Sequence, residues 1–291
     1  VWIGDDAAVL LTGPGPLVVT TDLSVAGVHG DLALIGLDDL GWRALAAAVS
    51  DVAAMGARPD AAVVAVAGPG TMDLDLLYEG IAASAQAHGC PVVGGDLSNS
   101  SQVVLAVTVT GHVAEAPGPV LRSGARPGDR LFVTGPLGGA AAGLRVLRAR
   151  AEALDEPGTG SEAELDLELA HRRPRARLVE GETARRAGVT AMIDVSDGFL
   201  ADLGHLADSS GVGFALDEVP VYEGATTDEA LGGGEDYELV MATPDPDRLA
   251  AAFAAAGLRR PVPVGSCTAE RDERTLAGRS VPAVGWQHTW R

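Results

Sequence analysis

At 291 residues, with 47 % hydrophobic and 21 % charged residues, the chain can bury the core of one large domain or two medium ones. Its net charge of −19 argues against nonspecific nucleic-acid binding, which needs clustered cations to neutralise phosphates. No apolar run approaches the roughly 20 residues that span a bilayer, and the opening VWIGDD lacks the pattern of a signal peptide, so a cytoplasmic protein that inserts in no membrane is expected. In chain order, PLVVTTDLSV (16–25) is β-branched and apolar and reads as a strand ending at Thr20-Thr21-Asp22. Residues 38–55 read as a helix with acids in its first turn and Gly56 beyond its end, followed by a buried strand at 61–67 and a helix at 73–88 closed by Gly89. A short strand at 91–93, a turn GGDLSNS (94–100) and a strand at 102–113 complete the first half. The Pro- and Gly-rich stretch 114–128 reads as a boundary, giving expected domains 1–116 and 117–291. The second half offers a strand DRLFVTG, a helix from about Gly138, and an acidic stretch, 151–168, that reads as a loop before or into a helix. Helices near 174–187, 198–210 and 246–257 and a strand at 191–195 follow. The fold class is α+β, in two αβ domains.

Two residue counts narrow the chemistry. The two cysteines, Cys90 and Cys267, form neither a disulfide framework nor a CxxC pair and read as small buried hydrophobes. All 21 Lys+Arg positions are arginine. That removes the P-loop lysine, the protein-kinase strand lysine and Schiff-base chemistry together. Phosphate chemistry in this chain must rest on metal ions, backbone amides and arginine.

Six short motifs set carboxylates beside Gly, Ser or Thr: GDDAA (4–8), TTD (20–22), SD (50–51), GGD (94–96), DVSDG (194–198) and GGGEDYEL (232–239). Hard oxygen ligands of this kind suit Mg²⁺, and small neighbours let backbone amides approach phosphate oxygens. Taken singly, each also suits ordinary turn chemistry. Asp194 and Asp197 fit a strand end and a helix start, with Ser196 or Asp197 as the N-cap. Asp51 differs: it sits inside a helix among Ala and Val, so it lies either on a solvated face or beside a cation.

In order, IGDDAAV, TTDLSVAGVH, SDVAAMGARP, VVGGDLS, LRSGARPGD, DVSDGFLADLGHL and LGGGEDYEL resemble the thiamine-monophosphate kinase family, part of the superfamily that holds aminoimidazole ribonucleotide synthase. The resemblance runs from Gly4 to about Trp286 and implies a further segment ahead of Gly4. It implies an N-terminal domain that dimerises through its sheet, and Mg²⁺-dependent, in-line transfer of the ATP γ-phosphoryl group to thiamine monophosphate. By the same matching, Asp6, Thr20, Thr21, Asp22, Asp51, Asp96, Asp194 and Asp197 would hold Mg²⁺. Tyr78, Gly95, Asp96, Arg122 and Ser196 would contact ATP, and His29, Glu235 and Trp286 the thiamine monophosphate. Gly30 follows His29 where the family usually carries a bulky residue. A phosphate monoester has a second pKa near about 6, so the acceptor is already nucleophilic and no general base is expected. The alternatives are another ATP-dependent enzyme of the superfamily, such as selenophosphate synthetase, the purine enzyme or the hydrogenase-maturation dehydratase, or a noncatalytic cation-binding scaffold.

Overall fold

The computed structural model describes residues 8–11, 15–113, 116–154, 160–282 and 284–286. The first sheet and its helices come from β1 (Ala8–Leu11), β2 (Pro16–Val25), α1 (Leu37–Ala54), β3 (Arg58–Gly68), α2 (Leu74–His88), β4 (Val92–Asn99) and β5 (Val104–His112). Next in the chain are β6 (Arg130–Val133), α3 (Gly139–Ala153), α4 (Glu162–Arg172), α5 (Leu178–Ala187), β7 (Ala191–Asp194), α6 (Phe199–Ser210) and β8 (Gly213–Leu216). The chain closes with α7 (Thr227–Gly232), β9 (Leu239–Thr243), α8 (Pro246–Ala255), β10 (Val262–Thr268), β11 (Arg274–Leu276) and β12 (Arg279–Ser280).

The five-stranded sheet has the order β1-β2-β5-β3-β4, antiparallel except for the parallel β3–β4 pair. Paired residues share a face. One row therefore runs Asp22, Val107, Val64, Gly95, and the next runs Leu23, Ala106, Ala65, Asp96 on the opposite face. Val107 and Val64 face α1 and join a core with Leu45, Val49 and Val52. The other face leaves Leu23 and Val63 exposed, and the edge strand β4 adds exposed Val93 and Leu97.

The seven-stranded sheet, β12-β11-β8-β10-β6-β9-β7, is covered on both sides. Leu131, Val133, Ile193 and Val240 pack with Phe199, Leu203 and Leu206 of α6. The alternate residues Phe132, Met192 and Met241 pack with Ala184 of α5 and Leu249 and Phe253 of α8. This is the period-two pattern of strands buried on both faces. Ala54, at the end of α1, belongs to the latter core, so one helix of the first half reaches into the packing of the second.

Three expectations change. The segment 94–100 is not a turn but most of β4, hydrogen-bonded to β3; a Cβ on Gly95 would stand 1.9 Å from the Val64 carbonyl oxygen, so its glycine serves close strand approach rather than chain reversal. The strand at 16–25 does not end at Asp22 but pairs with β5 through Val25. The helix expected at 174–187 starts only at Leu178, and part of the acidic stretch before it forms α4, started by a capping box of Ser161 and Glu164. Cys90 and Cys267 are buried and free, as expected.

Helices α1 and α2 cross at two glycines. A Cβ on Gly80 would lie 1.7 Å from the Asp38 carbonyl oxygen, and one on Gly41 would lie 2.4 Å from that of Leu77. Backbone meets backbone there, so relief requires moving a helix. Replacing Gly80→Ala should lower unfolding free energy by about 1–3 kcal/mol through overpacking, read as a fall of several degrees in Tm; an unchanged Tm would show that the crossing yields freely.

Candidate functional site

A cavity of about 540 Å³ opens where α1 and β2 meet the loops of the second sheet. Asp22 of β2, Asp51 of α1, Asp194 at the end of β7, and Asp197 line it together with Ser196. His29, Arg43, Arg148, His171, Glu235, Tyr237 and Trp286 also reach it, with Ala47, Ala140, Ala141 and Leu144 among its apolar lining. On α1 the spacing Arg43, Ala47, Asp51 is two successive steps of four, so all three lie on one helical stripe. Ala47 leaves space between the charged ends.

The acidic end is tied together by short bonds. Thr20 donates its hydroxyl to Asp51. Ser50 donates to Asp194 at 2.5 Å, joining α1 to β7. Burial, followed by the charge of Asp194, raises the Asp22 carboxyl to about 6, while a hydrogen bond with Asp51 works in the opposite direction. These are carboxylates crowded together by the fold and short of water.

The loop carrying Ser196 and Asp197 is held by a residue the motif reading passed over. Asp202, in the first turn of α6, accepts from the backbone N–H groups of Ser196 and Asp197, each at 3.0 Å, and Gly198 at 3.1 Å. The N-cap of α6 is Gly198, not Ser196 or Asp197, because the Asp202 carboxylate reaches back and takes the amides that a cap would satisfy. Burial first, then Asp194 and Asp197, push the Asp202 carboxyl well above its usual range. An acid four residues past a Ser-Asp-Gly turn is the signal that points to it.

Residues 233–238 form the opposite wall. Glu235 and Tyr237 both adopt positive φ, 68° and 51°, a strained conformation for non-glycine residues. Backbone bonds from Glu235 N–H to Ser196 O (2.8 Å) and Tyr237 N–H to Val195 O (3.0 Å) hold them, as do the flanking carboxylates. Asp236 caps α3, accepting from Gly138 N–H at 2.6 Å and Ala140 N–H at 3.0 Å. Glu238 accepts from the Thr134 hydroxyl and from Arg177 at 2.6 Å.

Arg43 anchors the other end of the cavity. It is buried, pairs with Glu235 at 2.5 Å, and donates to the carbonyl oxygens of His29 and His171. Burial, the largest single effect, opposes its charge, but Glu235, Tyr237 and Asp39 together outweigh it and raise its pKa. Burial and then the Arg43 charge push His171 down to about 3, so that ring is neutral. His29 accepts from Val25 N–H through Nδ1 at 3.1 Å, leaving Nε2 to carry the ring proton. A Cβ on Gly30 would meet the ends of the Leu40 and Ile35 side chains at 2.9 and 3.0 Å, so a bulky residue there requires those side chains to shift. Trp286, 55 % exposed, stands at the cavity edge, its backbone N–H donating to Asp197 O at 2.8 Å.

The fold thus gathers Asp22, Asp51, Asp194, Ser196, Asp197, His29, Glu235 and Trp286 in one cavity, with Thr20 bonded to it through Asp51. It does not bring the remaining candidates there. Thr21 faces the open side of the sheet and hydrogen-bonds to Thr108 at 3.0 Å. Asp96 shares that side and is exposed, beside Gly95 on the edge strand. Tyr78 packs half-buried against the first core, and Arg122 lies half-buried after β5, its carbonyl accepting from Ser210 at 3.0 Å. Asp6 lies outside the described residues.

Family models match both halves: "AIR synthase related protein, N-terminal domain" over residues 4–113 and "AIR synthase related protein, C-terminal domain" over 126–277. Among curated proteins, thiamine-monophosphate kinase of Mycobacterium tuberculosis is 38% identical over 253 residues, covering 81% of this chain and 73% of that protein. The chain belongs to the thiamine-monophosphate kinase family. The enzyme of that name from Salmonella typhimurium is 36% identical, covering 84% of this chain and 77% of that protein. The solved structure of AaThiL complexed with AMPPCP and TMP superposes with a TM-score of 0.86 at 31% identity, covering 99% of this chain and 92% of that one. Thiamine-monophosphate kinase from Stenotrophomonas maltophilia gives 0.82 at 32%, covering 97% and 92%. The hydrogenase maturation protein HypE in complex with ATP, at 20% identity and a TM-score of 0.68 over 90% of this chain and 79% of its own, shares the fold alone.

Burial raises the Asp236 carboxyl from 3.8 to about 7, against the pull of the α3 amides. A folded pKa above the unfolded one makes a contribution that is complete below about 4 and is lost as pH climbs to about 7. Asp236→Asn keeps a capping oxygen without the charge. Its stability relative to the unsubstituted protein should therefore rise between pH 5 and pH 7.5 in urea unfolding; a constant difference would remove the buried charge as the cause.

Proposed function

We propose that this protein transfers the γ-phosphoryl group of ATP to thiamine monophosphate, giving thiamine diphosphate and ADP. The observation that carries the reading is one cavity with Asp22, Asp51, Asp194 and Asp197 at one end and His29, Arg43, Glu235 and Trp286 around the rest. Family membership supports the reaction, and the relative holding AMPPCP, an ATP analogue, together with TMP supports the pair of substrates.

The acidic end fits a divalent cation. Crowding and burial that raise Asp22 to about 6 are the conditions that a hard cation with oxygen ligands reverses. Asp22, Asp51, Asp194 and Asp197 would hold Mg²⁺, with Thr20 orienting Asp51 and Asp6 a further candidate. Bound there, Mg²⁺ supplies charge neutralisation for phosphate oxygens that the carboxylates would otherwise repel. Ser196, fixed by Asp202 through its backbone, faces the phosphates. Tyr78, Gly95, Asp96 and Arg122 lie away from the cavity, and their assignment to ATP, with Thr21 and Asp96 as metal ligands, rests on the motifs alone. Trp286 offers a face for a thiamine ring, and His29 and Glu235 offer polar atoms to its edge.

The acceptor dianion attacks the γ-phosphorus directly, so no side chain is needed as base and none becomes phosphorylated. The open face of the first sheet, where Leu23 and Val63 are exposed, is the surface through which we expect two copies to pair. Among the described residues no helix is long and apolar enough to cross a membrane, and a cytoplasmic site of action fits the reading.

An ADP-release assay tests this: turnover is expected with thiamine monophosphate and Mg²⁺, and none with thiamine. Release with thiamine instead, or with neither, overturns the proposal. Asp51→Asn should reduce kcat by about 100-fold or more through lost charge stabilisation. Incubation with labelled ATP alone, then denaturation, should leave the polypeptide unlabelled; a labelled chain would replace direct transfer by a two-step route.

A further inference from the structure

We infer that Arg43 is the positioning residue that sets the acceptor end of the cavity, by fastening three separate segments to α1. The inference rests on the reading above for what that end binds, but the fastening itself is a matter of geometry. One guanidinium pairs with Glu235 at 2.5 Å, donates to His29 O from Nε (3.3 Å) and Nη2 (3.2 Å), and donates from Nη1 to His171 O. Its five N–H donors form a fixed planar fork, so satisfying these partners fixes their relative positions. A lysine has the charge but not the fork.

Each segment has holds of its own, such as Arg173 on Asp38 and Asp39 for the end of α4 and the Ser196 and Val195 carbonyls for the 233–238 loop, but the Arg43 guanidinium touches all three at once. His29 sits in the 26–30 turn of the first half, where its own Nδ1 is spent on Val25 N–H. Glu235 sits in the positive-φ loop of the second half. His171 ends α4, its Nδ1 turned to Ala140 O of α3 at 3.1 Å. Arg43 is 3 % exposed, so water does not substitute for a missing partner. Loss of the fork therefore leaves the 26–30 turn and the 233–238 loop to their local backbone bonds and loosens both together, while the acidic end keeps its own bonds through Thr20 and Ser50.

The test uses the full chain and two variants. Arg43→Lys keeps the charge and carries both readouts; Arg43→Met with Glu235→Gln removes both charges and serves for the exchange readout alone if the single variant does not fold, since a buried pair replaced whole is tolerated better than one broken. In a folded variant, amide hydrogen exchange should accelerate in both 26–30 and 233–238 by about tenfold or more, with the α1 amides near Asp51 unchanged. KM for thiamine monophosphate should rise about tenfold or more while KM for ATP stays within about twofold. Unchanged exchange in both loops, or KM rising equally for both substrates, overturns the inference. If the unsubstituted protein fails to turn over thiamine monophosphate, the proposed function falls, and the exchange comparison still decides whether Arg43 is the fastening.

Discussion

The constraint on which the rest depends is that α1 is buried on nearly every side while carrying charged groups at both ends of one stripe. A helix in that position must satisfy each of them from neighbours. At one end Asp51 and Ser50 are met by Thr20 of the first sheet and Asp194 of the second. At the other, Arg43 is met by Glu235 and by carbonyls of two segments. The helical rise sets these ends roughly 12 Å apart, with Ala47 between. The cavity is the space this leaves, acidic at one end and mixed at the other. Packing of the two halves and shaping of the site are the same set of contacts.

Around that helix, the loops are fixed by carboxylates that contact backbone rather than ligands. Asp202 binds three successive amides of the turn that carries Ser196 and Asp197. Asp236 binds the start of α3 and Glu238 binds Thr134 and Arg177, on either side of the strained Tyr237. The 196–198 and 233–238 loops of the site thus each have buried acids behind them. Burial raises Asp202 and Asp236, the expected outcome when hydrogen bonds to amides compete with loss of water. Rigid placement of the site is obtained at the expense of charged groups held in dry surroundings, which is where a kinase that uses fixed electrostatics would accept such strain.

Much of this was legible in the residues, and what was not has identifiable physical reasons. Long periodic segments such as α1, α2 and β5 read correctly because apolar spacing reports burial. Of the acidic motifs, TTD, SD, DVSDG and GGGEDYEL each send a carboxylate to one cavity, whereas GGD lies on the edge strand and Asp6 lies outside the described residues; each alone is ordinary turn chemistry. GGDLSNS failed as a turn: glycine that permits strand contact, as Gly95 does against Val64, looks in sequence like glycine that permits reversal. Strands β8 to β12 were missed because they gain their stability from a sheet assembled across the second half, and in β10 Pro263 and Gly265 also read as turn residues. Arg43 was missed because an arginine in an amphipathic helix ordinarily faces water, and only its distant partners show otherwise. Asp202 sat inside a quoted motif without a role, since its partners are amides that have no signature of their own.

A chain with a net charge of −19 and no lysine must meet two phosphorylated molecules with few cations of its own. Arg43 does little to offset that deficit, because Glu235 neutralises it and its donors are spent on backbone. Arg148 reaches the cavity as well, but from an exposed position on α3, where water screens it. Of the two arginines that line the cavity, one is therefore committed to structure and the other is diluted by solvent. Carboxylates crowded until Asp22 rises to about 6 would make this worse if they acted directly on phosphates. They make sense as a cation trap: negative charge is placed where divalent ions can sit between protein and substrate, and the arginines are kept for shape. Read in this way, the absence of lysine and the excess of aspartate are two sides of one electrostatic arrangement.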